Sequence, residues 1–244
     1  MGNLLAVSTK RLTKAFDGKE VIHGCNMAVE KGTVYGFVGK NGAGKTTVFK
    51  MLLGLLRPTM GEATVLGMDS VRDRSEILRH TGSLIETPIF YEHLSAADNL
   101  KIHLAYMGIE NTDLENVLTL VGLANIGTQP VSNFSMGMRQ RLGIARALAH
   151  KPELLILDEP INGLDPVGII EMRELFHTLA RQENYTILLS SHILSEVEQI
   201  ADQIGFIVDG TVIQEISPAK IKEKHPAGIE DYFIKVTNGE IAND

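Results

Sequence analysis

The chain has 244 residues, enough for one large domain or for a core carrying a helical lobe. Its net charge of −7 argues against nucleic acid as the main partner. Cys25 is the only cysteine, so no internal disulfide can form, and no run of about 18 apolar residues is present that could span a membrane.

Residues 1–5 lack the charged region and long apolar core of a signal peptide. Gly2 invites a myristoylation reading, but Ala6 and Val7 stand where a Ser or Thr is wanted, so that reading is discounted. Apolar and polar residues alternate over 4–12, as in a half-buried strand. Residues 14–18 are expected to form a turn carrying one aromatic, Phe16, which either stacks on an adenine ring or plugs the turn. More strand is expected over 21–29, then a turn at 30–32.

Val34, Tyr35, Gly36, Phe37 and Val38 read as a short buried strand. Gly39, Lys40, Asn41, Gly42, Ala43, Gly44, Lys45 and Thr46 follow it and match G-x-x-x-x-G-K-[ST], the phosphate-binding loop. Thr47 opens a helix expected over 47–53. Strand, glycine loop and helix supply what the motif needs. The glycines let several N–H groups curl toward phosphate oxygens, and the helix presents its positive end to them. Lys45 supplies a point charge for the β- and γ-phosphates, and the Thr46 hydroxyl is a ligand for Mg²⁺.

A break at 58–61, a strand over 62–66, a polar helix over 72–80 and a strand over 82–86 ending on Glu86 come next. From 94 to 149 the pattern is helical, with Ser95 as a cap for a helix carrying Leu100, Leu104 and Met107 on one stripe. A second helix opens near Thr112 and stops at Gly122. A third follows Ser135, whose side chain suits an N-cap and whose helix end can hold an anion.

Residues 154–157 are an unbroken apolar run, the mark of a parallel strand buried on both faces, and it closes on Asp158 and Glu159. Ligands of open α/β sheets bind at the carboxyl ends of the strands. Asp158 is therefore expected to hold Mg²⁺ and Glu159 to act as general base on the attacking water. A turn-rich loop at 160–166 leads to an amphipathic helix over 167–182. A buried strand over 186–190 then brings His192 to the same sheet edge, within reach of a γ-phosphate. A β-hairpin over 204–215, a helix over 217–224 and a mixed tail complete the chain.

These pieces, in this order, resemble the ATP-binding subunit of an ABC transporter over nearly the whole length. Gly39 to Thr46 match its Walker A motif and Leu154 to Asp158 its Walker B motif. Glu159 falls at the catalytic glutamate, Asn162 to Asp165 at the D-loop, His192 at the switch histidine and Phe16 at the adenine-stacking aromatic. Phe134, Ser135, Met136, Gly137 and Met138 sit where the family has LSGGQ. Ser135 and Gly137 match it; Phe134, Met136 and Met138 depart. Glu86 replaces the Q-loop glutamine. That change, together with the signature segment Ser135, Met136, Gly137 and Met138, is similar to exporters that protect Gram-positive bacteria from lantibiotics and to bacitracin-type exporters.

The resemblance implies an α/β P-loop NTPase fold with a strand-rich N-terminal subdomain and a helical subdomain over about 87–150, inserted in one domain, 1–244. It implies ATP and Mg²⁺ as ligands, with Thr46, Asp158 and Glu86 on the metal. Residues 39–47, Phe16, Glu86, Ser135, Gly137 and Asp165 would hold the nucleotide, and Lys45, Glu159 and His192 would perform the chemistry. Two copies would close head to tail on ATP, at the cytoplasmic face of the membrane, against a separate permease. Two rivals are weaker. A chromosome-maintenance ATPase needs long heptad arms, and a translation factor needs two cassettes and RNA contacts.

Overall fold

The computed structural model describes residues 4–110, 112–124 and 126–240; Gly2 lies outside them. The chain begins with an antiparallel pair, β1 (Leu5–Phe16) and β2 (Lys19–Glu30), followed by β3 (Val34–Val38) and α1 (Lys45–Leu52). Next come β4 (Met60–Val65), β5 (Met68–Asp69), α2 (Arg74–His80) and β6 (Thr81–Leu84). Three helices follow: α3 (Ala96–Met107), α4 (Leu114–Leu120) and α5 (Met136–Leu148). The chain then alternates through β7 (Leu154–Leu157), α6 (Pro166–Arg181), β8 (Thr186–Ser191) and α7 (Leu194–Ile200). It closes with β9 (Gln203–Val208), β10 (Thr211–Ile216), α8 (Pro218–Lys224) and α9 (Ile229–Thr237).

The strands form two sheets. One is antiparallel, in the order β2-β1-β4-β5; the other runs β10-β9-β3-β8-β7-β6. In the second sheet every pairing from β9 to β6 is parallel. β3, β7 and β8 are buried at every position, as parallel strands covered on both faces should be. α1 fills the space between the sheets. Its Val48, Phe49, Met51 and Leu52 join Val7, Leu12, Ile22 and Val29 of the first sheet and Phe37, Ile156 and Leu188 of the second in one core. Phe37 and Phe49 stack with ring centroids 5.9 Å apart. A second core lies on the other side of the large sheet, where α5, α6 and the C-terminal helices pack.

Three expectations need correcting. The turn expected over 14–18 is only Asp17 and Gly18, with φ of 50° and 79°. Lys14, Ala15 and Phe16 stay in β1, paired with Ile22, Glu20 and Lys19, because Asp-Gly closes a hairpin in two residues. The strand expected to end on Glu86 stops at Leu84, and Glu86 has a left-handed φ of 61°. The tail is not irregular: α9 buries Ile229, Tyr232, Phe233 and Val236, an i, i+3, i+4, i+7 pattern legible in the sequence. The caps on Ser95 and Ser135 are as expected, their side chains accepting from the Asp98 and Met138 N–H groups. No helix among the described residues is long and apolar enough to cross a membrane.

α3 and the turn after α5 bring His103 and His150 to 5.8 Å between ring centroids, and buried Nε2 of His103 has no hydrogen-bond partner. Burial, then the nearby His150 and Arg146, lowers the His103 pKa from 6.5 to about 4. Burial also lowers that of His150. A base whose folded pKa lies below its unfolded value stabilises the fold above the unfolded pKa, and the gain is lost as pH falls through the folded one. The melting temperature should therefore fall as pH drops from 6.5 to about 4. His103→Leu should flatten that stretch of the profile in scanning calorimetry.

Candidate active site

The parallel register sets the site. Val38 pairs with Ser191 and Leu157 with Leu189, so the chain leaves β3, β7 and β8 along one edge. Gly39 begins the loop there, its N–H donating to the Ser191 carbonyl at 3.3 Å. A Cβ on Gly39 would stand 2.3 Å from the Ile207 carbonyl oxygen, and Gly44 has a φ of 108° with Ile22 against it. Both positions therefore demand glycine. Lys40, Asn41 and Gly42 are exposed at the tip and Ala43 is buried beneath it.

α1 begins at Lys45, two residues earlier than expected, which puts Lys45, Thr46 and Thr47 in its first turn. The Lys45 ammonium is only 6% exposed and donates to the Gly39 carbonyl at 2.7 Å and the Lys40 carbonyl at 3.3 Å. It also lies 3.1 Å from Glu159 Oε1, without the alignment of a hydrogen bond, and that buried oxygen has no hydrogen-bond partner. Glu159 Oε2 meets His192 Nδ1 at 2.8 Å. The Thr46 hydroxyl donates to Asp158 Oδ2 at 2.6 Å.

Ser190 completes the cluster, and the sequence reading passed over it. Its hydroxyl donates to Asp158 Oδ1 at 2.5 Å and accepts from the Glu159 N–H at 2.8 Å. The residue after Leu157 stands beside the residue after Leu189, so the strand register was the signal that could have found it. These bonds hold the two carboxylates apart: Asp158 is turned to Thr46 and Ser190, Glu159 to Lys45 and His192. Glu159 keeps this orientation with a left-handed φ of 49°, a costly conformation for a side chain of its size.

Of the remaining expected residues, Glu86 falls in this cleft and the others fall elsewhere. Glu86 lines the same cleft as Asp158 and Glu159, together with Met136 and Asn162, in a volume of about 290 Å³. Its carboxylate pairs with Lys50 at 2.6 Å. Phe16 stands half-exposed at the end of β1, with the Lys14 ammonium 5.0 Å from its ring centroid. Ser135, Gly137 and Asp165 line a separate groove of about 800 Å³ between the start of α5 and the start of α6. Asp165 caps α6 by accepting from the Gly168 N–H at 2.8 Å. Asp158 and Glu159, beside the phosphate loop, and the serine-capped start of α5 thus line two adjoining grooves that share Met136.

Comparison with known proteins agrees with this geometry. The family model described as ABC transporter matches residues 22–162. The bacitracin transport ATP-binding protein BcrA of Bacillus licheniformis is 48% identical over 225 residues, covering 92% of this chain and 74% of that protein. The lantibiotic transport ATP-binding protein SrtF of Streptococcus pyogenes is 47% identical over 207 residues, covering 84% of this chain and 88% of that protein. Among solved structures, an ATP-binding subunit of an ABC transporter superposes with a TM-score of 0.83 at 26% identity, over 95% of this chain and 99% of that one. With the phosphate loop, the paired carboxylates and the signature segment all in place, this chain belongs to the ABC transporter family, as an ATP-binding subunit that hydrolyses ATP.

Proposed function

We propose that this chain drives an exporter of a peptide antibiotic, working at the cytoplasmic face of a membrane on a separate permease. The observation that carries the chemical part is the cluster of Lys45, Thr46, Asp158, Glu159 and His192 on one sheet edge. The cargo class is supported by the likeness to the bacitracin and lantibiotic transport proteins and by Glu86 in place of the usual glutamine.

ATP would lie with its phosphates in the curl of residues 39–46, against backbone N–H groups and the Lys45 ammonium. Phe16 is the candidate to stack on the adenine ring. Glu159 takes a proton from water, whose oxygen bonds to the γ-phosphorus as the bond to the ADP oxygen breaks. Glu159 Oε1, which has no hydrogen-bond partner, suits this task, and His192 keeps the carboxylate oriented through Oε2. A hydroxyl and a carboxylate facing each other are donors that Mg²⁺ accepts, so Thr46 and Asp158 would hold it, with Glu86 at the rim of the same cleft. Bound there, the metal would neutralise charge on the phosphate oxygens.

The second groove supports a head-to-tail pair. Ser135 and Gly137 line a groove that Lys45 and Glu159 do not enter, so a single chain leaves the α5 end without the phosphates it suits. Two copies would place the Ser135 end of each, with Asp165, on the nucleotide of the other. The lobe over about 87–150 would also carry the permease contact. Ile89, Tyr91 and Tyr106 are 84%, 47% and 81% exposed around a groove of about 360 Å³, an apolar surface of the kind protein partners cover.

Glu159→Gln should retain ATP binding and lose at least about a hundredfold in turnover, since the shape survives and the base does not. ATP should then hold the variant as a dimer in size-exclusion chromatography. Wild-type turnover in that variant would remove Glu159 from the base role. Mixing Lys45→Ala with Ser135→Arg subunits tests the shared sites, because a mixed dimer carries both lesions at one site and none at the other. ATPase activity should return on mixing, and full activity in each variant alone would show that the sites are not shared.

A further inference from the structure

The first turn of α5 rests on the loop that follows Glu159. Met136 lies over Gly163: a Cβ on Gly163 would stand 2.4 Å from Met136 Cε and 3.1 Å from its Sδ. One residue on, a Cβ at Gly137 would be 3.7 Å from Leu164 Cδ2. Two consecutive residue pairs therefore join the helix to the loop. The loop is tied to Glu159 in turn, since the Asn162 N–H donates to the Glu159 carbonyl at 3.1 Å.

Glu159 sits at a φ of 49°, and a glutamate stays in that region only when its surroundings over-determine it. Met136 is 59% exposed, so core burial does not account for a large apolar side chain there. It lines both the cleft of Asp158 and Glu159 and the groove of Ser135 and Asp165. It is also the position where the signature segment departs from the first glycine of LSGGQ.

We infer that Met136 is a positioning residue for hydrolysis. Its thioether, seated on Gly163, clamps loop 160–165 and thereby holds the Glu159 carboxylate between Lys45 and His192. The clamp links the anion-holding end of α5 to the base within a single chain. An unbranched, polarisable side chain suits this role, because it follows the backbone surface of a residue without a Cβ. Gly163 suits the other half: with φ at 73°, it offers both the turn and the bare seat. This inference rests on the base role proposed for Glu159.

The test is steady-state ATPase activity of the full chain in Met136→Ala, Met136→Leu, Gly163→Ala and the Met136→Ala/Gly163→Ala pair, with Glu159→Gln as reference. Met136→Ala should lower kcat about fivefold and leave the KM for ATP within about twofold, the signature of a lost contribution to the chemical step. Met136→Leu, which conserves volume, should recover activity to within about twofold of wild type. Gly163→Ala should also lower kcat, but by a smaller factor when Met136 is already alanine, because the added Cβ then meets no Cε. An unchanged kcat in Met136→Ala, a change confined to KM, or strictly multiplicative effects in the pair would overturn the clamp. If Glu159→Gln is inactive while Met136→Ala is normal, the clamp alone fails. Turnover retained by Glu159→Gln would overturn the base assignment and the clamp with it.

Discussion

Hydrogen-bond registration between buried parallel strands is the constraint on which the site depends. β7 and β8 are locked so that Asp158 follows Leu157 beside Ser190, and β3 is locked to β8 so that Gly39 starts beside Ser191. A slip of one residue would turn every side chain to the opposite face. Because these strands are apolar on both faces, such a slip would bury the carboxylates or expose the core. The energy that fixes the chemistry is therefore hydrophobic, and its source is far larger than any bond within the site.

Within that frame, two neighbouring carboxylates acquire different environments. Asp158 is 6% exposed and receives hydroxyl donors from Thr46 and Ser190. Glu159 is less buried and faces a cation and an imidazole. Adjacent residues at a strand end point in different directions, and Ser190 reinforces the split by bonding the Asp158 side chain and the Glu159 backbone at once. A metal-holding role and a proton-accepting role can then coexist without competing for the same oxygens.

The helical segment adds a second surface, and Met136 at its edge also lines the first. α5 packs on β6 and on the helices before it, so its capped end faces a groove of its own. The Met136–Gly163 and Gly137–Leu164 contacts are where that surface touches the loop leaving Glu159.

Much of this was legible in the residue order. The glycine spacing of 39–46, the buried strands over 34–38, 154–157 and 186–190, and the acids after 157 each rest on local chemistry: backbone freedom, double-sided burial, strand termination. The Asp17-Gly18 turn and the i, i+3, i+4, i+7 pattern of α9 were also local signals; the turn was read too long and the helix was missed. The pairing of Ser190 with Asp158, the seat of Met136 on Gly163, the Lys50 partner of Glu86 and the separation of Ser135 from Lys45 were of another kind. Each relates residues from 27 to 90 positions apart, and only strand register and helix packing decide such distances. The sequence by itself determined which groups could do chemistry, because that depends on residue type and short spacing. The tertiary structure decided which of them meet, because that depends on how two sheets and the helices between them share one core.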